Sequence, residues 1–285
     1  MSSFKKIVCS DLDGTIITKE NELLKETKKD IQAFMIETNN AFSVVTGRQF
    51  FSSKNHIKDI GVTLPVITIN GSSLIDPVSE TLIDSLHFNK EEYFKILDIM
   101  LKHNIRFSVV NDFQIFCLKT SIWNKHFRRD KFKNSNIDEN IYHLYDDFNE
   151  LYQGIKKDCK YYNSVFIEYE TKQEFDEIEK LFESYNFSKL TFAYFDQPTI
   201  EYFKPNVNKL SGLKMLANYL KVDLQDIYVF GDQVNDIPMF KGLKNNFAVG
   251  NAVPEIISIA NEIIDNINNN GVGKKLIELK EKNIF

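Results

Sequence analysis

The chain has 285 residues, of which 43% are hydrophobic and 26% charged, a balance that excludes wholesale disorder. At about 150 residues per domain, this length predicts two domains. Thirty-five Lys and Arg against 40 Asp and Glu leave a net charge of −5, which argues against a broad binder of nucleic-acid backbones.

In chain order, residues 4–10 read as a strand and residues 25–38 as an amphipathic helix with Ile31, Phe34 and Met35 on one face. A buried strand is predicted at 41–46, a helix at 52–60 and a strand at 65–69. Strands alternating with helices predict a parallel sheet. The middle differs. A helix at 90–103 is followed by a hairpin of 105–110 and 114–119 around Asn111-Asp112, and 131–140 is a polar loop. A strand at 161–169, a helix at 172–185 and a strand pair at 189–195 and 199–203 complete an α+β module. The first pattern then returns, with helices at 209–220, 238–243, 254–260 and 274–283 and strands at 227–230 and 247–249. The expected organisation is one α/β domain, 1–85 with 206–285, interrupted by an α+β domain at 86–205.

Cys9, Cys117 and Cys159 make no CxxC pair and no zinc spacing with His56, His87, His103, His126 or His143. Reduced thiols in a cytosol-like compartment are the expectation. The apolar run before Asp11 is shorter than a signal-peptide core, and no stretch approaches the ~20 apolar residues of a membrane span. A cytoplasmic protein without a membrane partner is expected.

Asp11-Leu12-Asp13-Gly14-Thr15 follows the first strand directly. Two carboxylates two residues apart at a strand end can face one side, and holding them together calls for a cation, with Mg²⁺ suited to an incomplete oxygen cage. Thr46-Gly47-Arg48 ends a buried strand, where a hydroxyl and a Gly amide can cradle phosphate oxygens. Asn70-Gly71 ends the next strand, and on its own marks a turn. Asp232, Asn235 and Asp236 place three oxygen-bearing side chains within one turn after 227–230. Lys209 opens a helix, where a cation works against the helix dipole. Each has a plain alternative as a turn or a solvated end. Asp11, Thr46, Asn70 and Asp232 nevertheless all sit at the carboxyl ends of strands of one domain, the edge where open α/β sheets bind ligands.

DLDGT, TGR, a Lys before a helix and GDQVND together resemble the four motifs of the haloacid dehalogenase (HAD) superfamily. The position of the insert is similar to the Cof-type branch with a class IIB cap, as are Ala248–Glu255 in sequence and Asn270-Gly271-Val272. Around the family's lysine the usual Gly is Leu210 here, and a later Ala is Gly212. The resemblance implies a Rossmann-like parallel core with an α+β cap. It implies Asp11 as nucleophile, Asp13 as acid and then base, and Thr46, Gly47, Lys209 and Asn235 on the phosphoryl group. Mg²⁺ would be held by Asp11, the Asp13 carbonyl and Asp232, with Arg48, Asn70, Gly71 and Asp236 in support.

The resulting expectation is a Mg²⁺-dependent phosphatase of small phosphorylated metabolites, sugar phosphates first, acting as a monomer or weak dimer. A phosphosugar mutase and a non-catalytic phosphate-binding protein stay open as alternatives. His126-Phe127-Arg128-Arg129 reads as a solvated helix face.

Overall fold

The computed structural model describes residues 4–126, 137–194 and 197–285. Its strands, in chain order, are β1 (Ile7–Ser10), β2 (Phe42–Val44), β3 (Val66–Thr68), β4 (Ser73–Asp76) and β5 (Thr81–Ser85). There follow β6 (Arg106–Val110), β7 (Ile115–Leu118), β8 (Tyr142–Tyr145), β9 (Ser164–Glu168), β10 (Ser188–Tyr194) and β11 (Gln197–Phe203). The last three are β12 (Ile227–Gly231), β13 (Asn245–Val249) and β14 (Glu262–Ile264). The chain forms two compact units, one holding residues up to Arg48, Ser53–Asp84 and Asn208–Phe285, the other Gln49–Ser52 and Ser85–Val207.

In the first unit the uninterrupted apolar run of β1 is buried along its whole length, as a central strand covered on both faces requires. It lies between β2 and β12 in a five-stranded sheet of order β14-β13-β12-β1-β2, all parallel. A parallel bridge from Val45 to Ile67 continues this order to β3, which folds back antiparallel on β4, with β5 beyond. The early strands therefore run outward from β1 on one side and the late strands on the other. The order reverses between β1 and β12, and that reversal opens a crevice at their carboxyl ends. Helix Lys25–Glu37 buries Thr27, Ile31, Phe34 and Met35 and packs against helix Gly271–Glu281.

The second unit is built on a six-stranded sheet of order β10-β11-β9-β6-β7-β8, antiparallel except for the β7–β8 pair. Alternation along the strands gives it two apolar faces. Phe107, Val109, Phe116, Val165, Ile167, Ile200 and Tyr202 pack with Tyr93, Leu97 and Met100 of helix Lys90–Lys102, Leu151 and Ile155 of Phe148–Asp158, and Ile178 of Lys172–Phe182. Val110, Ile115, Cys117 and Phe166 point the other way, toward Phe51, Ile122 and Trp123. An Asn89–Glu92 capping box starts the first of these helices and Thr171 caps the last.

Several of the described elements differ from expectation. The β4–β5 hairpin, β8, β14 and helix Phe148–Asp158 have no predicted counterpart, and helix Gly271–Glu281 starts before the predicted 274. β5, β8 and β14 are edge strands with mixed or exposed patterns, so they lack the buried run that signals a strand. Helix Phe148–Asp158 carries Phe148, Leu151, Tyr152 and Ile155 at helical spacing, a period the sequence reading passed over, whereas Gly271 and Gly273 obscure a helix start. The expected loop 131–140 is described only from 137, where Glu139–Ile141 forms a single 3₁₀ turn; Phe127, Arg128 and Arg129 lie outside the described residues. No helix among the described residues is long and apolar enough to cross a membrane.

Candidate active site

Strand register assembles the site in the first unit. Ser10 pairs with both Phe230 and Val44, so the residues after β1, β2 and β12 leave the sheet at one edge. Backbone bonds hold them there: Asp11 N–H to the Phe230 carbonyl at 3.0 Å, Val45 N–H to Ser10 at 2.9 Å and Thr46 N–H to Ile67 at 2.9 Å. Strand geometry ends at this point. The Leu12 carbonyl accepts from the N–H groups of Thr15, Ile16 and Ile17, and Gly14 takes φ +77°. A Cβ on Gly14 would stand 2.2 Å from Asp232 Oδ2, so glycine serves both the turn and the close approach.

Asp11, Lys209, Asp232 and Asp236 are all buried. Lys209 Nζ lies 2.9 Å from Asp11 Oδ1 and 2.6 Å from Asp236 Oδ1. Asp236 Oδ2 accepts from the N–H groups of Asp232 and Gln233, each at 2.9 Å. One carboxylate thus anchors the lysine and folds the Asp232 loop. Asn208 caps the helix that Lys209 opens, accepting from Ser211 N–H at 3.1 Å. A buried cation at that position opposes the helix dipole, and the two carboxylates offset the cost. Burial alone would lower the lysine's pKa; Asp11 and Asp236 outweigh it and hold the ammonium charged, above the ordinary lysine range.

Gly212 finds its explanation in packing. Added Cβ atoms would stand 2.7 Å from the Gly71 Cα at Gly212, and 2.0 Å from the Asn208 carbonyl oxygen at Gly71. The two glycines let the start of the lysine helix rest on the Ile69–Gly71 turn.

The carboxylates carry an excess of negative charge. Burial pushes Asp11 well above the ordinary carboxylate range; Lys209 opposes this, while Asp236 and Asp232 add to it. Burial likewise pushes Asp232 up to about 6, against a 2.8 Å hydrogen bond donated by Thr15 Oγ1 to its Oδ1. Asp11, Asp232 and Asp236 offer oxygens within 4.8 Å of one another. Three carboxylates facing one ammonium lack two positive charges, which is what one divalent cation supplies, and an all-oxygen donor set suits Mg²⁺. Asp236 spends its oxygens on Lys209 and on two N–H groups, so Asp11 and Asp232 are the carboxylates that fit an ion.

Asp13 is paired outside this cluster. Its carboxylate takes both arms of Arg48, Nε to Oδ2 at 2.7 Å and Nη2 to Oδ1 at 2.5 Å. Thr46 is buried and accepts from Arg48 N–H at 3.1 Å. A Cβ on Gly47 would stand 2.9 Å from Asn70 Oδ1, and Asn235 Nδ2 donates to that same oxygen at 3.0 Å. Ile69 and Asn70 both adopt positive φ, 46° and 53°, a conformation that is strained for a β-branched residue and is held by Ile69 N–H to Arg48 carbonyl and Asn70 N–H to Thr46 carbonyl.

Sequence reasoning missed the partners that hold these groups. Thr15 stood inside a recognised motif without a role. Asn251 Nδ2 donates to the Gly14 carbonyl at 2.7 Å, and Asn21 and His56 stand behind Arg48. Isolated Asn and His residues far away in sequence carry no local signal.

A family model described as haloacid dehalogenase-like hydrolase matches residues 8–276. The 5-amino-6-(5-phospho-D-ribitylamino)uracil phosphatase YwtE of Bacillus subtilis is 26% identical over 288 residues, covering 94% of this chain and 95% of its own. TM0651 from Thermotoga maritima superposes with a TM-score of 0.78 at 22% identity, over 96% of this chain and 97% of that one. The HAD subclass IIB sugar phosphatase BT4131 gives a TM-score of 0.73 at 18% identity, over 98% and 100%.

Proposed function

The chain belongs to the haloacid dehalogenase-like hydrolase family, in its Cof-type branch, and from that premise we propose a Mg²⁺-dependent phosphatase of small phosphomonoesters that works through an aspartyl phosphate on Asp11. The observation that carries this reading is the buried Asp11–Lys209–Asp236 chain beside Asp232, at the point where the strand order reverses. The discontinuous first unit is the catalytic core, and the inserted unit is the family's cap.

Phosphoryl transfer needs an aligned nucleophile and positive charge around the transferring oxygens. An Asp11 carboxylate oxygen forms a bond to phosphorus as the bond to the ester oxygen breaks. That oxygen keeps the electron pair and takes a proton from Asp13. Water then attacks phosphorus and gives its proton to Asp13, while the Asp11–phosphorus bond breaks and its electron pair returns to the carboxylate. Lys209, the Thr46 hydroxyl and the Gly47 amide hold phosphoryl oxygens through both steps, with Asn235 beside them. Asp11 and Asp232, with the Asp13 carbonyl, would hold Mg²⁺, which supplies electrostatic neutralisation of the phosphoryl group when bound.

Sugar phosphates are the proposed substrate class, supported by the likeness to a sugar phosphatase; the phosphoribityl compound in the name of the B. subtilis relative is a polyol phosphate of related chemistry. Three buried free thiols suit a reducing, intracellular setting. The test is phosphate release from a panel of sugar phosphates, nucleotides and pyridoxal phosphate, with Mg²⁺ and with chelator, beside Asp11→Asn. Metal-dependent release that the substitution abolishes is the expected result. Isomerisation of a sugar phosphate without phosphate release would replace hydrolysis with mutase chemistry.

A further inference from the structure

Arg48 is anchored at three points. Its N–H donates to Thr46 Oγ1 at 3.1 Å, its carbonyl accepts from Ile69 N–H at 3.0 Å, and Nη2 donates to Asn21 Oδ1 at 2.7 Å. Guanidinium only donates, so the Asn21 atom facing it must be the amide oxygen. His56 Nε2 stands 3.1 Å from that oxygen and therefore carries a proton there. His56 and Arg48 together fix Asn21, and Asn21 fixes the fork that Arg48 presents. The Arg48 side chain is 9% exposed, whereas Asp13, which receives the fork, is 48% exposed. The arginine is the enclosed member of the pair and the carboxylate the exposed one.

We propose that Arg48 is the positioning residue for Asp13, backed by Asn21 and His56, and that it sets the plane and reach of the carboxylate that exchanges protons at the ester oxygen. This rests on the reading of Asp13 as acid and base given above. A bidentate fork fixes both the distance and the plane of a carboxylate, and Asp13 sits on a turn beyond the end of β1. Lysine keeps the charge but supplies a single point of contact, so Arg48→Lys separates charge from geometry.

The experiment measures leaving-group release in the first turnover, from an alkyl phosphate and from p-nitrophenyl phosphate, in the full-length chain with Mg²⁺. A poor leaving group needs the proton and a good one does not. Arg48→Lys is expected to slow the alkyl ester by at least ~10-fold and the aryl ester by no more than ~3-fold, with KM unchanged. Combined with Asp13→Asn, Arg48→Lys should cost nothing further, because a residue acting through another has no effect once that other is removed. Asn21→Ala should reproduce the split in weaker form, and it serves if Arg48→Lys does not fold. Equal losses with both esters that persist beside Asp13→Asn would reduce Arg48 to a structural role and overturn the proposal. A raised KM with intact turnover would overturn it too, by making Arg48 a substrate contact. Asp11→Asn is the separate control: activity surviving there sinks the proposed function itself, whereas a flat leaving-group profile with Asp11→Asn inactive sinks only the role of Arg48.

Discussion

Gly212 rests on Gly71 so closely that a Cβ at Gly212 would stand 2.7 Å from the Gly71 Cα and 2.5 Å from Ile67 Cγ2. This contact seats the first turn of the helix that carries Lys209 against the end of β3. It predicts that Gly212→Ala, favourable by helix propensity alone, destabilises the protein by about 1–3 kcal/mol through overpacking. Turnover should fall with it as Lys209 shifts. Urea unfolding paired with phosphatase assay checks this; a more stable, fully active variant would show that the turn yields freely.

Asp11→Asn should separate stability from function. Asp11 is buried between Lys209 and two other carboxylates, and its carboxyl is pushed upward by burial and by those carboxylates. Removing its charge relieves repulsion, so Tm is expected to hold or rise. Turnover should drop by at least ~10³-fold with the nucleophile gone. A thermal melt beside the activity assay gives both readings, and retained turnover would rule Asp11 out as nucleophile.

Metal binding has a signature that needs no turnover. Mg²⁺ should raise the Tm of the wild-type protein, because the ion binds the folded site and not the unfolded chain. Asp232→Asn should lose most of that rise while keeping its bond from Thr15, since the amide oxygen can still accept. An equal rise in both proteins would place the ion elsewhere. With chelator, wild-type turnover should fall to the level of Asp11→Asn and return when Mg²⁺ is added.

Glu201 predicts a pH dependence of stability in the second unit. It is buried on β11, accepts from Ser164 Oγ at 2.7 Å, and burial pushes its pKa up to about 8 from 4.5. The folded state thus keeps a proton that the unfolded chain releases above about pH 4.5, so its stabilising effect is full below that value and is lost as pH rises to about 8. The slope is at most about 1.4 kcal/mol per pH unit. Glu201→Gln keeps an acceptor for Ser164 and removes the titration. Wild type and variant should match near pH 4, with the variant pulling ahead toward pH 8; parallel urea midpoints across that range would show that Glu201 ionises normally.

Much of the site was legible because its parts are local. Asp11, Thr46, Asn70 and Asp232 each follow a short buried apolar run, and a strand end is visible in sequence where such a run stops at Gly or a polar residue. Lys209 was legible as a cation at a helix start, where it has an electrostatic reason not to be. The edge strands β5, β8 and β14 were not legible, since a strand exposed on one side carries no buried run. Nor was the partner of Asp13: the Arg48 fork that receives its carboxylate stands 35 residues along the chain.

By itself the sequence determined which residue types stand at the ends of the central strands, the interruption of an α/β pattern by an α+β one, and the family resemblance. These are properties of short segments, set by periodicity and turn chemistry. The tertiary structure alone decided the pairings: Asp236 with Lys209, Thr15 with Asp232, Arg48 with Asp13, Asn70 with Asn235 and Gly71 with Gly212. Each joins groups distant in the chain, and which of them meet depends on strand order and helix packing, which bring buried charges together only where a partner offsets the cost of removing them from water.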